Sequence, residues 1–192
     1  MTTLDAGAAH VAASTPYAWP YDGDLGAAGT AVLVVRPAAV AWPHSVGAEY
    51  AHAGVGVVET VRSAGVPVIS VITANPGGGS GTSAGDAFAP DATVSSPGID
   101  GFYASALEDV LRSAGVSRLI LVGFGLETCV HSTMRSANDR GLECLLVADA
   151  CEPYDPELAH ASVSMIEMSG GIFGAVATAA SVIAAFTPRS AS

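Results

Sequence analysis

The chain contains no lysine. Its seven cations in 192 residues are all arginine, set against 18 Asp and Glu, for a formal net charge of -11. That absence excludes any mechanism built on a catalytic amine or a P-loop lysine. The arginines, at positions 36, 62, 112, 118, 135, 140 and 189, form no cluster. A phosphate backbone would meet repulsion, so nucleic acid is not an expected partner.

Cysteine is scarce as well. Cys129, Cys144 and Cys151 are odd in number and lack C-x-x-C spacing, which fits neither a secreted disulfide framework nor a metal site. A reducing, cytoplasmic setting is expected. Charged residues make up only 13% of the chain and hydrophobic residues 50%, which excludes intrinsic disorder. Long apolar runs are missing too. The apolar, Ala/Gly-rich run 170–186 falls short of the roughly 20 residues a membrane span needs and predicts a buried helix. The opening MTTLDAGAAH has no basic flank followed by an apolar core, so no signal peptide and no membrane association are expected.

What is present alternates. Residues 1–29 are polar and broken by Pro16, Pro20 and Gly23, which predicts an irregular arm anchored by Tyr17, Trp19 and Tyr21. Continuous apolar runs at 31–35 (AVLVV), 66–73 (VPVISVIT), 118–123 (RLILVG) and 142–148 (LECLLVA) predict strands buried on both faces. Helices are expected over 46–64, 104–114, 127–140, 156–168 and 172–186, with stops at Gly65, Gly115 and Gly141 and an N-cap at Asp155. The Gly/Ser/Pro-rich segment 74–96 reads as a loop. Strands alternating with helices imply an α/β fold, a parallel sheet covered on both faces. One domain over 30–187 with a short tail at 188–192 accounts for the length.

Ligands of such sheets bind beyond the carboxyl ends of the strands. Arg36 and the turn 123–129 should therefore meet. Cys129 would open a helix, where free N–H groups and the helix dipole lower a thiol pKa and make a nucleophile; it is equally readable as a small buried residue. Cys144 and Cys151 read as packing residues. His131 lies two positions after Cys129, about 200° around the helix axis, so a Cys/His dyad is not expected. His44 and His52 are pocket candidates near the first strand, and Glu127 is the carboxylate nearest to Cys129 in sequence.

The run GFGLETCVHSTMRSANDRGLECLLVADAC (123–151) resembles the signature of isochorismatase-like cysteine hydrolases. PYAWPYDG (16–23), PGIDGFYASALEDVLRSAGV (97–116) and MSGGIFGAVATAASVIAAF (168–186) are similar to the branch that hydrolyses small ureido and biuret-like amides. The resemblance implies a doubly wound three-layer sandwich with a mainly parallel sheet of about six strands, oligomeric assembly, and an Asp-Lys-Cys triad that needs neither metal nor cofactor. It also implies a cis peptide before the cysteine and an oxyanion hole formed by the N–H groups of Gly125 and Cys129, with Glu127 and Phe102 as possible pocket residues. Carried over by position, the nucleophile falls on Cys129, the Asp on Arg36 and the Lys on Ser96. The resemblance thus implies a degraded triad. A non-catalytic or partner subunit is expected, as a homo-oligomer or beside an active paralogue. The alternatives are an enzyme that uses Cys129 on an amide, ureido or activated substrate, and a small-molecule sensor.

Overall fold

A computed structural model describes residues 10–42, 47–75, 89–168 and 170–187. Six strands form its sheet: β1 (Thr30–Pro37), β2 (Val68–Thr73), β3 (Ala92–Ser95), β4 (Arg118–Phe124), β5 (Glu143–Glu152) and β6 (Ala175–Ala177). They lie in the order β3-β2-β1-β4-β5-β6 and every neighbouring pair is parallel. Five α-helices accompany them: α1 (Ala48–Ser63), α2 (Leu107–Ser113), α3 (His131–Asn138), α4 (Ala159–Glu167) and α5 (Ala179–Phe186).

The period of two along each strand sends alternate side chains to opposite layers. Ala31, Leu33 and Val35 of β1 join a core with Leu107 and Leu111 of α2, Met134 and Ala137 of α3 and Ile166 of α4. Val32 and Val34 face the other way, onto Val57, Val58 and Val61 of α1 and Val182 and Phe186 of α5. Both faces of the central strands are therefore covered, which is why they read as unbroken apolar runs. Burying each such side chain contributes roughly 1.5–3 kcal/mol. The result is the expected doubly wound three-layer sandwich.

Two strands lay outside the sequence reading. β3 forms inside the segment expected to be loop, and residues 76–88 of that segment lie outside the described residues. β6 occupies the start of the stretch expected to be one helix over 172–186; the helix, α5, begins only at Ala179. Thr178 ends the strand and caps this helix, accepting the Ser181 N–H on its hydroxyl. The segment expected to be one helix over 127–140 divides into a π-helical turn, Leu126–Val130, followed by α3. Asp155 caps as predicted, accepting the Glu157 N–H, although a 3-10 turn at Pro156–Leu158 precedes α4.

The arm docks on its own domain. Thr15 exchanges two backbone hydrogen bonds with Val176, of 2.9 and 2.7 Å, so the arm shields the β6 edge. Trp19 and Val11 are buried in the core, and Tyr21 stays 81% exposed. The inner end of the arm is tied down by Arg118, whose guanidinium bonds Asp22 Oδ2 at 2.9 Å, Thr30 Oγ1 at 3.3 Å and the Ala28 carbonyl at 2.5 Å. Residues 1–9 and the tail at 188–192 lie outside the described residues. Among the described residues no helix is long and apolar enough to cross a membrane.

Candidate active site

The strand order reverses direction between β1 and β4, which opens a crevice at their carboxyl ends. The register brings the candidate residues to this edge. Val35 pairs with Gly123, Pro37 with Thr73, Ile72 with Ser95, and Phe124 with Glu152. Arg36, Ser96 and the Cys129 turn thus share one rim of the sheet, with Thr73 between the first two.

Close approach dictates the turn's glycines. A Cβ on Gly123, whose φ is +143°, would sit 1.9 Å from the Val35 carbonyl oxygen. Gly125, at φ +85°, starts the π-helical turn and has the Cys129 sulfur and Thr128 hydroxyl at its back. The turn closes on itself through Gly125, whose carbonyl accepts the Thr128 and Val130 N–H groups, each at 3.0 Å.

Cys129 is fully buried. Its thiol donates to the Phe124 carbonyl at 2.9 Å, and the Gly125 carbonyl is 3.8 Å away. Burial pushes the thiol up to about 11. The hydroxyls of Thr73 and Thr128 and the N–H groups of Cys129 and Val130 pull it the other way, with less effect. Of the two readings of Cys129, this surrounding favours the small buried residue over a thiolate made by a helix terminus. The sulfur points into the layer of apolar side chains between sheet and helices, against carbonyl oxygens that favour the protonated form.

Arg36 is buried at the end of β1 and donates from Nη1 to the Val40 carbonyl at 2.8 Å, closing the loop that follows the strand. Ser96 is buried too, and its hydroxyl works on the loop after β3. The oxygen lies 2.6 Å from the Asp100 carbonyl and 2.9 Å from that of Tyr103, and it accepts the Gly98 N–H at 3.1 Å. Both residues fasten chain segments at the rim.

Glu127, a possible pocket residue, is engaged by the backbone. Its two carboxylate oxygens accept the Tyr154 N–H at 3.0 Å and the Asp155 N–H at 2.7 Å, clamping the segment after β5 onto the cysteine turn. Tyr154 then lies edge-on to Phe124, with ring centroids 4.6 Å apart. Phe102, the other possible pocket residue, is a buried member of the core, with the Arg140 guanidinium 4.6 Å from its ring centre. The Gly125 N–H is donated to the Glu152 carbonyl at 2.8 Å, so it is not free to bind an oxyanion. No peptide bond of this turn is cis; the cis bonds among the described residues precede Pro16 and Pro20.

Cys144 and Cys151 are buried residues of β5, with thiols raised well above the usual range by desolvation. His131 packs against Phe173, ring centroids 4.8 Å apart, and burial followed by the Arg135 charge lowers its pKa. His52 is exposed on α1, and His44 lies outside the described residues. Among the described residues no group of three or more His, Cys, Asp or Glu is placed to hold a metal ion.

Sequence reasoning missed Thr73. It ended the run VPVISVIT and carried no local mark. The signal that identifies it is positional, because a polar residue at a strand's carboxyl end in a doubly wound sheet faces the crevice.

A doubly wound parallel sheet with a cysteine turn at its switch point defines an α/β fold whose candidate site lies beyond the carboxyl ends of the strands. The isochorismatase domain model matches residues 47–181, and the chain belongs to that family. Arg36 lies ahead of the matched segment, whereas Ser96 and Cys129 lie within it. The ureidoacrylate amidohydrolase RutB of Methylobacterium radiotolerans is 35% identical over 86 residues, 43% of this chain and 33% of the relative. The enzyme of the same name from Enterobacter sp. is 33% identical over 101 residues, 52% of this chain and 43% of that one. The chain thus matches less than half the length of these curated relatives. A cysteine hydrolase from Pseudomonas syringae superposes with a TM-score of 0.70 at 21% identity, covering 84% of this chain and 94% of that one, which bears on the fold.

Proposed function

We propose that this protein is an isochorismatase-family member that no longer hydrolyses amides by the Asp-Lys-Cys route and acts as a non-catalytic or partner subunit. It would assemble with itself or with an active paralogue. The observation that carries the reading is the Cys129 thiol, buried, donating to the Phe124 carbonyl and pushed up to about 11. Cleaving an amide with a thiol requires removing its proton and delivering one to the leaving nitrogen. Arg36, in the position the resemblance gives to the Asp, cannot carry that proton because guanidinium holds its own above pH 12. Losing a general acid/base costs about 10² to 10⁴ in rate. The ligand class at the crevice is a small amide or ureido-like molecule, in keeping with the ureidoacrylate amidohydrolases among the relatives.

A second reading keeps Cys129 as the nucleophile. The Thr73 and Thr128 hydroxyls lie close enough to the sulfur to lower its pKa, and each can turn its hydrogen from a backbone carbonyl to a thiolate. Once formed, a thiolate there would be hydrogen-bonded and able to attack an activated carbonyl whose leaving group needs no proton.

The test is hydrolysis of ureidoacrylate and of an activated thioester by the protein and by Cys129→Ala, together with the oligomeric state in solution. The leading reading expects an oligomer and no turnover above that of Cys129→Ala. Turnover abolished by Cys129→Ala would replace it with the second reading, and a strictly monomeric protein would remove the partner role.

A further inference from the structure

The opposite rim of the sheet carries a separate cavity. Its volume is about 430 Å³, within the range of small-molecule sites, and three segments meet around it. Tyr17 and Tyr21 come from the arm, Asn138 and Leu142 from the end of α3 and the turn that follows it, and Ile172 from the loop after α4. Glu143, the first residue of β5, also lines it. This is the amino end of the strand, whereas Cys129 sits beyond the carboxyl ends.

The chemistry of the lining is one-sided. Glu143 is half-buried and is held by the Tyr21 N–H and the Tyr17 hydroxyl. A carboxylate has about four lone-pair positions, so these two donors leave acceptor capacity open. The nearest cation, Arg118, is already divided between Asp22 at 2.9 Å and Asp24 at 3.7 Å. Three carboxylates therefore share one guanidinium, and no cationic side chain lines the cavity among the described residues. Burial raises the Glu143 pKa, as expected of a charge whose water has been removed without full replacement.

The aromatic groups complete the pattern. Tyr17 and Tyr21 stand edge to face with centroids 6.0 Å apart, and Tyr21 and Ile172 are largely exposed at the mouth. Gly171, at φ +95°, lets the chain pass against the Tyr17 ring, since a Cβ there would lie 2.9 Å from it. A carboxylate beside two tyrosine rings on an apolar floor is complementary to a cation carried on a hydrocarbon body.

We propose that this cavity is a binding site for a small organic ammonium ion, with Glu143 as its counter-ion and Tyr17 and Tyr21 as the aromatic wall. The ammonium N–H groups donate to the free lone pairs of Glu143. The hydrocarbon part covers Leu142 and Ile172. Binding relieves the surplus negative charge that Arg118 leaves uncompensated. The site is independent of Cys129 and of any turnover there.

The experiment is calorimetric titration of the full chain with phenethylammonium chloride, with 2-phenylethanol and benzoate as neutral and anionic controls at matched ionic strength. The expected result is saturable 1:1 binding of the ammonium alone, weakened about tenfold or more in Glu143→Gln because a charge-assisted hydrogen bond is lost. Tyr21→Ala alters an exposed side chain, so it tests the aromatic wall even if Glu143→Gln fails to fold, and it should weaken binding several-fold. Cys129→Ala should bind as the native chain does. Absence of saturable binding overturns the proposal. So does equal binding of 2-phenylethanol, or affinity unchanged in Tyr21→Ala.

Discussion

Gly125 and Cys129 are packed back to face: a Cβ on the glycine would lie 2.8 Å from the cysteine sulfur and 2.7 Å from the Thr128 hydroxyl. The same glycine has φ +85°, where side chains are strained in any case. Gly125→Ala should therefore cost about 1–3 kcal/mol, from left-handed strain and the clash combined. Urea denaturation measures it, and a loss below a few tenths would mean that the turn relaxes freely.

The Cys129 thiol should titrate far from neutrality. Pushed up to about 11 by burial, it should alkylate at least about a hundredfold more slowly at pH 8 than an unperturbed cysteine, the rate rising until about pH 11. Iodoacetamide labelling followed by peptide mass spectrometry, with Cys129→Ala as control, reads this directly. A plateau near pH 7 would show a poised nucleophile instead.

Thr73→Val should push that profile higher still. The Thr73 hydroxyl has one hydrogen, which goes to the Arg36 or Ala74 carbonyl while the sulfur is protonated and is available to the thiolate once it forms. Arg36→Ala should leave the profile where it is, because burial and local hydrogen bonds account for the shift. Its effect should appear in stability, by about 2 kcal/mol or more, through the orphaned Val40 carbonyl and the emptied site. A large fall in the Cys129 pKa in either variant would contradict this division of roles.

Stability should decline on the alkaline side. Cys129, Cys144 and Cys151 all have folded-state pKa values raised by burial. Such groups contribute stability that is complete below the unfolded thiol pKa, near 8.5, and is lost as pH rises through the folded values. The midpoint of thermal unfolding should fall from about pH 8.5 upward, and Cys144→Ala and Cys151→Ala should flatten the slope.

Glu127→Ala should loosen the segment after β5 that it clamps onto the cysteine turn. It removes the acceptor of two backbone N–H groups, those of Tyr154 and Asp155, at a cost of about 1–3 kcal/mol. Hydrogen exchange at Tyr154 and Asp155 should accelerate, and Cys129 labelling should accelerate with it if opening of this segment admits the reagent.

Much of the architecture follows from local pattern. The four longest strands are continuous apolar runs because both of their faces are covered, and Gly65, Gly115 and Gly141 stop helices because each adopts positive φ. Proximity of Arg36 and the Cys129 turn was also legible, since a parallel sheet brings its strand ends to one rim, whereas Ser96 came to that rim only through the resemblance. β3 and β6 were not legible. Four and three residues long, they are too short to establish a period, and their neighbours, not their composition, make them strands.

The chemical state of the site belongs to the tertiary structure. The sequence alone determined that a cysteine follows a glycine turn and that no lysine can assist it. Whether that sulfur meets solvent or carbonyl oxygens depends on the π-helical turn that buries it against the Phe124 carbonyl and on Thr73, far earlier in the chain. Glu127 likewise becomes a clamp only because β5 returns beside β4 and delivers two N–H groups to it. Burial and hydrogen bonding join residues distant along the chain, and a pKa is set by that assembled surrounding, which local spacing does not encode.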